Sequence, residues 1–200
     1  MSETLLTNVK DSGGLPIEIA FADEKIIEKK KLAAGYETID GKGLTLLPGF
    51  IDLHTHLREP GREDAETVLT ASQAAVAGGF TAISAMPNTN PVADTAGVVE
   101  QIFALGRTHG LCDVNPIGAV TIGQRGETLA EMSAMNQSVA NVRIFSDDGH
   151  CVADPLVMRR ALEYVRIFDG VIAQHAQDPN LRSEEHTSEL QSRFGISYAV

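Results

Sequence analysis

Apolar positions along this chain follow two different periods. Ile17, Ile19 and Phe21 alternate with Glu18 and Ala20, the two-residue repeat of a strand, and Lys25-Ile26-Ile27 continues it after a turn at Ala22-Asp23-Glu24. Ile39 to Leu44, with Gly41 and Gly43, reads as a further turn that leads into a short strand. Residues 1–48 are therefore expected to form a small β-unit, which Pro48-Gly49 closes.

From Phe50 the pattern changes to strands alternating with helices. Strands are predicted at 50–53, 80–86, 114–120, 142–145 and 171–174. Between them, Val68, Leu69, Ser72, Ala75 and Val76 have helical spacing within 66–77, which Gly78-Gly79 terminates. Asp94-Thr95 is a candidate cap for a helix through Val98, Val99, Ile102 and Leu105. Leu129, Met132 and Met135 share a face of a helix predicted over 126–137. Asp154-Pro155 is a capping residue followed by proline at the first helical position, opening a helix through Met158, Ala161, Leu162 and Val165. Strand starts recur about every 30 residues, the length of one βαβ step. Such a run builds a parallel sheet, either open and doubly wound or closed as a (β/α)8 barrel.

Composition narrows the class. Hydrophobic residues at 43% and charged residues at 22% are those of a globular protein. A net charge of −11 argues against nucleic acid or an anionic membrane as partner. No apolar run approaches the roughly 18 residues that span a bilayer, and the first ten residues lack signal-peptide architecture. Two cysteines, Cys112 and Cys151, suggest no disulfide framework. A cytoplasmic location is the expectation.

The candidate chemistry lies at strand ends. His54-Thr55-His56 ends the 50–53 strand, and strand alternation points the two imidazoles the same way, as half of a metal site needs. Two unrelated polar loop residues are the plain alternative. Asp52 has the same parity, as an acceptor for a ligand histidine or as a structural residue, with the structural role favoured. Asp147-Asp148 follows the 142–145 strand; paired carboxylates there call for a cation or hydrogen bonds, although an Asx turn before Gly149 also accounts for them. His175 follows the 171–174 strand, where a lone histidine is more often a hydrogen-bonded core residue than a ligand. Asn88 and Asn90 offer amides to a ligand or simply form turns, and Arg58 can fork onto a carboxylate or make a surface salt bridge. Taken together, His, His, Asp and His fall at the C-terminal ends of strands in one βα array, the end where barrel enzymes hold their active sites.

At this point a family is visible. Pro48-Gly49-Phe50-Ile51-Asp52-Leu53-His54-Thr55-His56-Leu57-Arg58-Glu59-Pro60-Gly61 resembles the signature that opens the catalytic barrel of bacterial dihydroorotases, in the amidohydrolase superfamily. Gly78-Gly79-Phe80-Thr81, Met86-Pro87-Asn88-Thr89-Asn90-Pro91 and Phe145-Ser146-Asp147-Asp148-Gly149 match the same family in the same order, over about 17–181. The resemblance implies an incomplete (β/α)8 TIM barrel over 49–181, preceded by part of a small β-sandwich domain. It implies a zinc enzyme of pyrimidine biosynthesis that interconverts dihydroorotate and N-carbamoyl-L-aspartate, with two Zn2+ per full-length active site. His54 and His56 match ligands of the first metal, Asp148 the aspartate that bridges both metals, and His175 a ligand of the second. Arg58 and Asn88 match the groups that bind the substrate carboxylate. The family continues for roughly twice this length, with three more barrel units, another histidine ligand and a proton-shuttling aspartate. No catalytic acid or base is therefore assigned here, and the 200-residue chain is expected to be inactive. For the full-length protein the resemblance implies a homo-oligomer or association with aspartate transcarbamoylase.

Residues 182–192 break the strand–helix pattern and read as the in-frame translation of a sequencing-library adapter, so 182–200 is expected to be a non-native tail and His186 is not counted as a ligand. A genuine polar helix is the alternative. Two other functions compete with the leading one: another cyclic amidohydrolase (hydantoinase or allantoinase), and a non-catalytic dihydroorotase-like partner of aspartate transcarbamoylase. The Arg58 loop and the Asp148 block count against the first, and the retained metal ligands count against the second.

Overall fold

The structure, a computed structural model, describes residues 3–179; the expected tail at 182–200 lies outside them. Two compact units divide the chain, Met1–Gly49 and a second that begins at Phe50.

Strands β1 (Thr4–Lys10), β2 (Pro16–Ala22), β3 (Lys25–Ile27) and β4 (Glu37–Asp40) form one sheet in the order β3-β2-β1-β4. Asp23 and Glu24 both take positive φ, 50° and 61°, the conformation that a two-residue hairpin loop requires. β1 is antiparallel to β2 and parallel to β4. Its apolar pattern did not predict it, because a register shift between Leu6 and Val9, with Asn8 at φ 58°, breaks the two-residue period. Leu5 and Val9 are buried nonetheless.

In the second unit, β5 (Phe50–Thr55), β6 (Phe80–Ala85) and β7 (Asp113–Pro116) pair in parallel, as do β8 (Ile144–Phe145) and β9 (Val171–Ile172). The strand expected over 114–120 loses its pairing to β6 after Pro116, and a parallel bridge from Gly118 to Phe145 passes the ladder on to β8. Helices α1 (Val68–Ala77), α2 (Ala96–His109), α3 (Met132–Gln137) and α4 (Pro155–Val165) separate the strands. The result is a mixed α/β unit built on parallel βα steps.

Local chemistry explains where the helices start. Thr67 and Thr70 exchange two 3.1 Å hydrogen bonds between side chain and backbone, a reciprocal cap that starts α1 at Val68 rather than at 66. Asp154 accepts the amides of Leu156 and Val157 at the start of α4, as expected. Asp94-Thr95 does not cap α2 through a side chain; the Asp94 carboxylate accepts the Gly123 amide at 2.8 Å instead. The helix expected from 126 begins only at Met132, because the preceding stretch is tied down as a strap with Gly123, Gln124 and Gly126 at positive φ. Val99 and Ile102 of α2, Met132 and Met135 of α3, Phe145 of β8, and Ala161 and Val165 of α4 fill one core. α2 packs on β7 so closely that a Cβ on Gly106 would lie 2.5 Å from the Val114 Cβ.

Candidate metal centre

β5 and the residue just after it carry the first two candidate ligands. Thr55 donates through Oγ1 to the Ser84 carbonyl at 2.8 Å and accepts the Met86 amide through its own carbonyl at 2.8 Å, which fixes the strand end against β6. Its flanking residues, His54 and His56, come together with ring centroids 5.2 Å apart in an edge-on arrangement. Asp52 Oδ1 accepts the His54 backbone amide at 2.9 Å, the structural role favoured for it.

Asp148 completes a cluster. His54 Nε2 lies 3.2 Å from Asp148 Oδ1, and His56 Nε2 lies 3.7 Å from Asp148 Oδ2. The three candidate ligand atoms all fall within 4.8 Å of one another. Two imidazole nitrogens and a carboxylate oxygen so arranged could hold a divalent metal ion. The carboxylate side chain is only 11% exposed while His54 is 53% exposed, so the cluster has a buried floor and an open side.

Asn88, on the loop after β6, ties the cluster together. Its Nδ2 donates to Asp148 Oδ2 at 2.8 Å, and its Oδ1 lies 3.0 Å from His56 Nδ1. Because the carboxylate can only accept, the amide orientation is settled, and Oδ1 must accept from an N–H on His56 Nδ1. In the neutral ring the Nε2 lone pair then faces Asp148, the form a metal ligand needs.

Asp147 has a different position from its neighbour. It is 1% exposed, and burial pushes its carboxyl up from the ordinary range, opposed by hydrogen bonds from Thr121 and Val120. Its Oδ1 accepts the Val120 and Thr121 amides at 2.8 and 3.1 Å, and Oδ2 accepts the Thr121 hydroxyl. Gln124 reaches from the same strap and donates through Nε2 to the Asp148 carbonyl at 3.3 Å. Thr121 and Gln124 carried no signal in the sequence, being 26 and 24 residues from their partners and in no motif.

The remaining candidates sit nearby with other contacts. Arg58 is partly buried at φ 60° on the loop after β5, and its carbonyl accepts the Arg62 amide at 2.9 Å. That loop packs on the one bearing Asn88: the Asn90 amide donates to the Pro60 carbonyl at 2.9 Å. His175 follows β9, where its Nε2 lies 3.2 Å from Gln177 Oε1. It borders a polar cavity with Arg125, Glu127, His150 and Cys151. Among the described residues the compact ligand cluster is His54, His56 and Asp148; His175 is not brought into it.

Comparison with known proteins agrees with this architecture. The fold is that of L-hydantoinase (dihydropyrimidinase) from Arthrobacter aurescens, whose solved structure matches with a TM-score of 0.71 at 18% identity, covering 100% of this chain and 45% of that one. A scaffold of parallel βα steps, with histidine and carboxylate side chains gathered at its strand ends, is the class that fold and site define. The sequence profile described as dihydro-orotase-like matches residues 43–199, a range that runs through the segment read above as an adapter translation. The chain belongs to the dihydro-orotase-like family. Dihydroorotase of Streptomyces coelicolor is 56% identical over 184 residues, 90% of this chain and 43% of that protein. That of Leifsonia xyli subsp. xyli is 63% identical over 167 residues, 82% of this chain and 38% of that protein. The chain thus spans less than half the length of these relatives.

Proposed function

We propose that the chain carries the first ligands of a zinc-dependent active site that interconverts dihydroorotate and N-carbamoyl-L-aspartate. The convergence of His54, His56 and Asp148 within 4.8 Å supports the reading most directly. Family membership supports dihydroorotate as the substrate. The parallel run of β5 to β9, with active groups after β5, β6 and β8, supports an incomplete (β/α)8 barrel, and the sheet of β1 to β4 supports part of a β-sandwich domain. No helix among the described residues is long and apolar enough to cross a membrane.

In this reading His54, His56 and Asp148 would hold zinc, and His175 would add a ligand for a second ion. A bound zinc ion lowers the pKa of water to about 7 and polarises a carbonyl, which is what hydrolysis of a ring amide at neutral pH needs. The chain's own contribution is position. Asn88 keeps the proton of His56 on Nδ1 and leaves Nε2 free to bind. Arg58 pairs with the substrate carboxylate and holds the ring in attack geometry. A scaffold partner without catalysis has no use for such a ligand cluster.

Zinc analysis and a dihydroorotate assay on protein of the relatives' length test the reading. Chelation should abolish turnover, zinc should restore it, and His54→Ala or Asp148→Ala should lower bound zinc. Undiminished turnover after complete zinc removal would sink the proposal. Arg58→Ala should weaken dihydroorotate binding by about 2–5 kcal/mol, because a buried carboxylate loses its charged partner, with zinc content unchanged. Loss of zinc in that variant contradicts its role.

A further inference from the structure

We infer that Asp147 is a positioning residue: through the strap at 120–126 it fixes the backbone from which Asp148 presents its carboxylate to the metal ligands. The inference rests on the metal-centre reading above and adds a role to a buried acid which that reading leaves unused. Three donors converge on Asp147, the amides of Val120 and Thr121 and the Thr121 hydroxyl. The strap is itself braced. Thr121 Oγ1 accepts the Gly126 amide at 2.9 Å, and the Gly123 amide donates to Asp94 at 2.8 Å. From that braced segment Gln124 returns to the Asp148 carbonyl.

Asp148 is therefore gripped on both sides of its side chain. The residue before it is anchored in the core, and its own carbonyl is held by Gln124. The turn that follows is closed by the His150 amide donating to the Asp147 carbonyl at 2.7 Å. On the preceding side the Ser146 amide donates to the Gly118 carbonyl at 2.9 Å. A carboxylate on a two-residue segment at a strand end has few bonds to rotate once its backbone is held so. Its 3.2 Å approach to His54 then depends on where the strap places that backbone. An aspartate suits the anchor because it only accepts, and each of its three partners donates.

Cobalt(II) titration of protein of the relatives' length, followed by its visible absorption, tests this. Far-UV circular dichroism and the metal-free melting temperature are recorded alongside. The variants are Asp147→Asn, Thr121→Val, Thr121→Ser and Gln124→Met, with Asp148→Ala as the ligand control. Thr121→Val and Asp147→Asn should lose on the order of tenfold or more in cobalt affinity, the usual cost of removing an outer support of a metal ligand. Thr121→Ser keeps the hydroxyl and should bind within about twofold of the parent, a rescue that mere loss of packing does not predict. Gln124→Met leaves the buried carboxylate and its donors in place and should also weaken cobalt binding, which keeps the test decisive where neither of the other two variants folds. Parent-like affinity in a folded Asp147→Asn or Thr121→Val chain, or in Gln124→Met if neither folds, overturns the inference and leaves the metal centre standing. A parent chain that binds no cobalt, or binds it equally with Asp148→Ala, overturns the metal centre itself.

Discussion

Single side chains in this protein are set by what their neighbours can donate or accept. Asn88 shows this most clearly. As a loop residue in Pro-Asn-Thr-Asn-Pro it has an ordinary turn-forming role open to it, yet its amide connects His56 to Asp148. Replacing it with alanine removes the acceptor that keeps the proton on His56 Nδ1 and a donor to the Asp148 carboxylate. Asn88→Ala should therefore lower zinc affinity by about tenfold, read by competition with a chromophoric chelator. An unchanged affinity would mean that the amide matters only to substrate. The adjacent acids Asp147 and Asp148 make the same point: identical chemistry one residue apart, with one side chain in the core and the other in the candidate ligand cluster.

At the scale of elements, caps and close approaches decide boundaries. Asp154 is both the predicted and the observed cap of α4, so Asp154→Ala should cost about 0.5–2 kcal/mol in urea unfolding. No loss of stability would show that Pro155 alone starts the helix. Asp94 looks like the same signal in sequence but stabilises the strap through Gly123, and only the tertiary structure separates the two cases. The loops after β5 and β6 are held together at Gly61, whose φ is 102° and whose added Cβ would lie 2.1 Å from the Asn90 carbonyl oxygen. Gly61→Ala should cost at least about 1–3 kcal/mol, measured as a lower melting temperature, and should shift the loops that carry Arg58 and Asn88. A melting temperature equal to the parent's would mean that the two loops tolerate separation.

Across the whole second unit, apolar surface remains uncovered. Ile51 and Leu53 on β5 are each 63% exposed, and with Ala82, Ile117 and Val142 they border a cavity of about 540 Å³. Among the described strands β5 pairs only with β6, which leaves a row of backbone donors and acceptors along its other side. Relatives more than twice as long have further chain with which to cover such a face. Residues 1–200 on their own should self-associate, seen as a light-scattering mass above the monomer, and should not turn over dihydroorotate with added zinc. A stable monomer with turnover like that of a full-length enzyme would overturn this expectation.

Much of the architecture follows from local pattern. Alternating apolar runs spaced about 30 residues apart mark the parallel strands, since one βαβ step has that length. The HxH pair and the Asp-Asp-Gly block announce strand-end chemistry because ligand residues there are costly without a use. β1 is illegible because its bulge interrupts the period, and the helix expected over 126–137 starts only at Met132 because the strap before it, with Gly123, Gln124 and Gly126 at positive φ, takes conformations that composition does not reveal. Contacts over long sequence separations were left to the tertiary structure. It placed Asp147, beside the Asp148 that the resemblance already names, in the core under Val120 and Thr121, turned Asn88 between two side chains 32 and 60 residues away, and set His175 beside Gln177. The physical reason is that a side chain's direction depends on which distant donor or acceptor reaches it, and no local period encodes that.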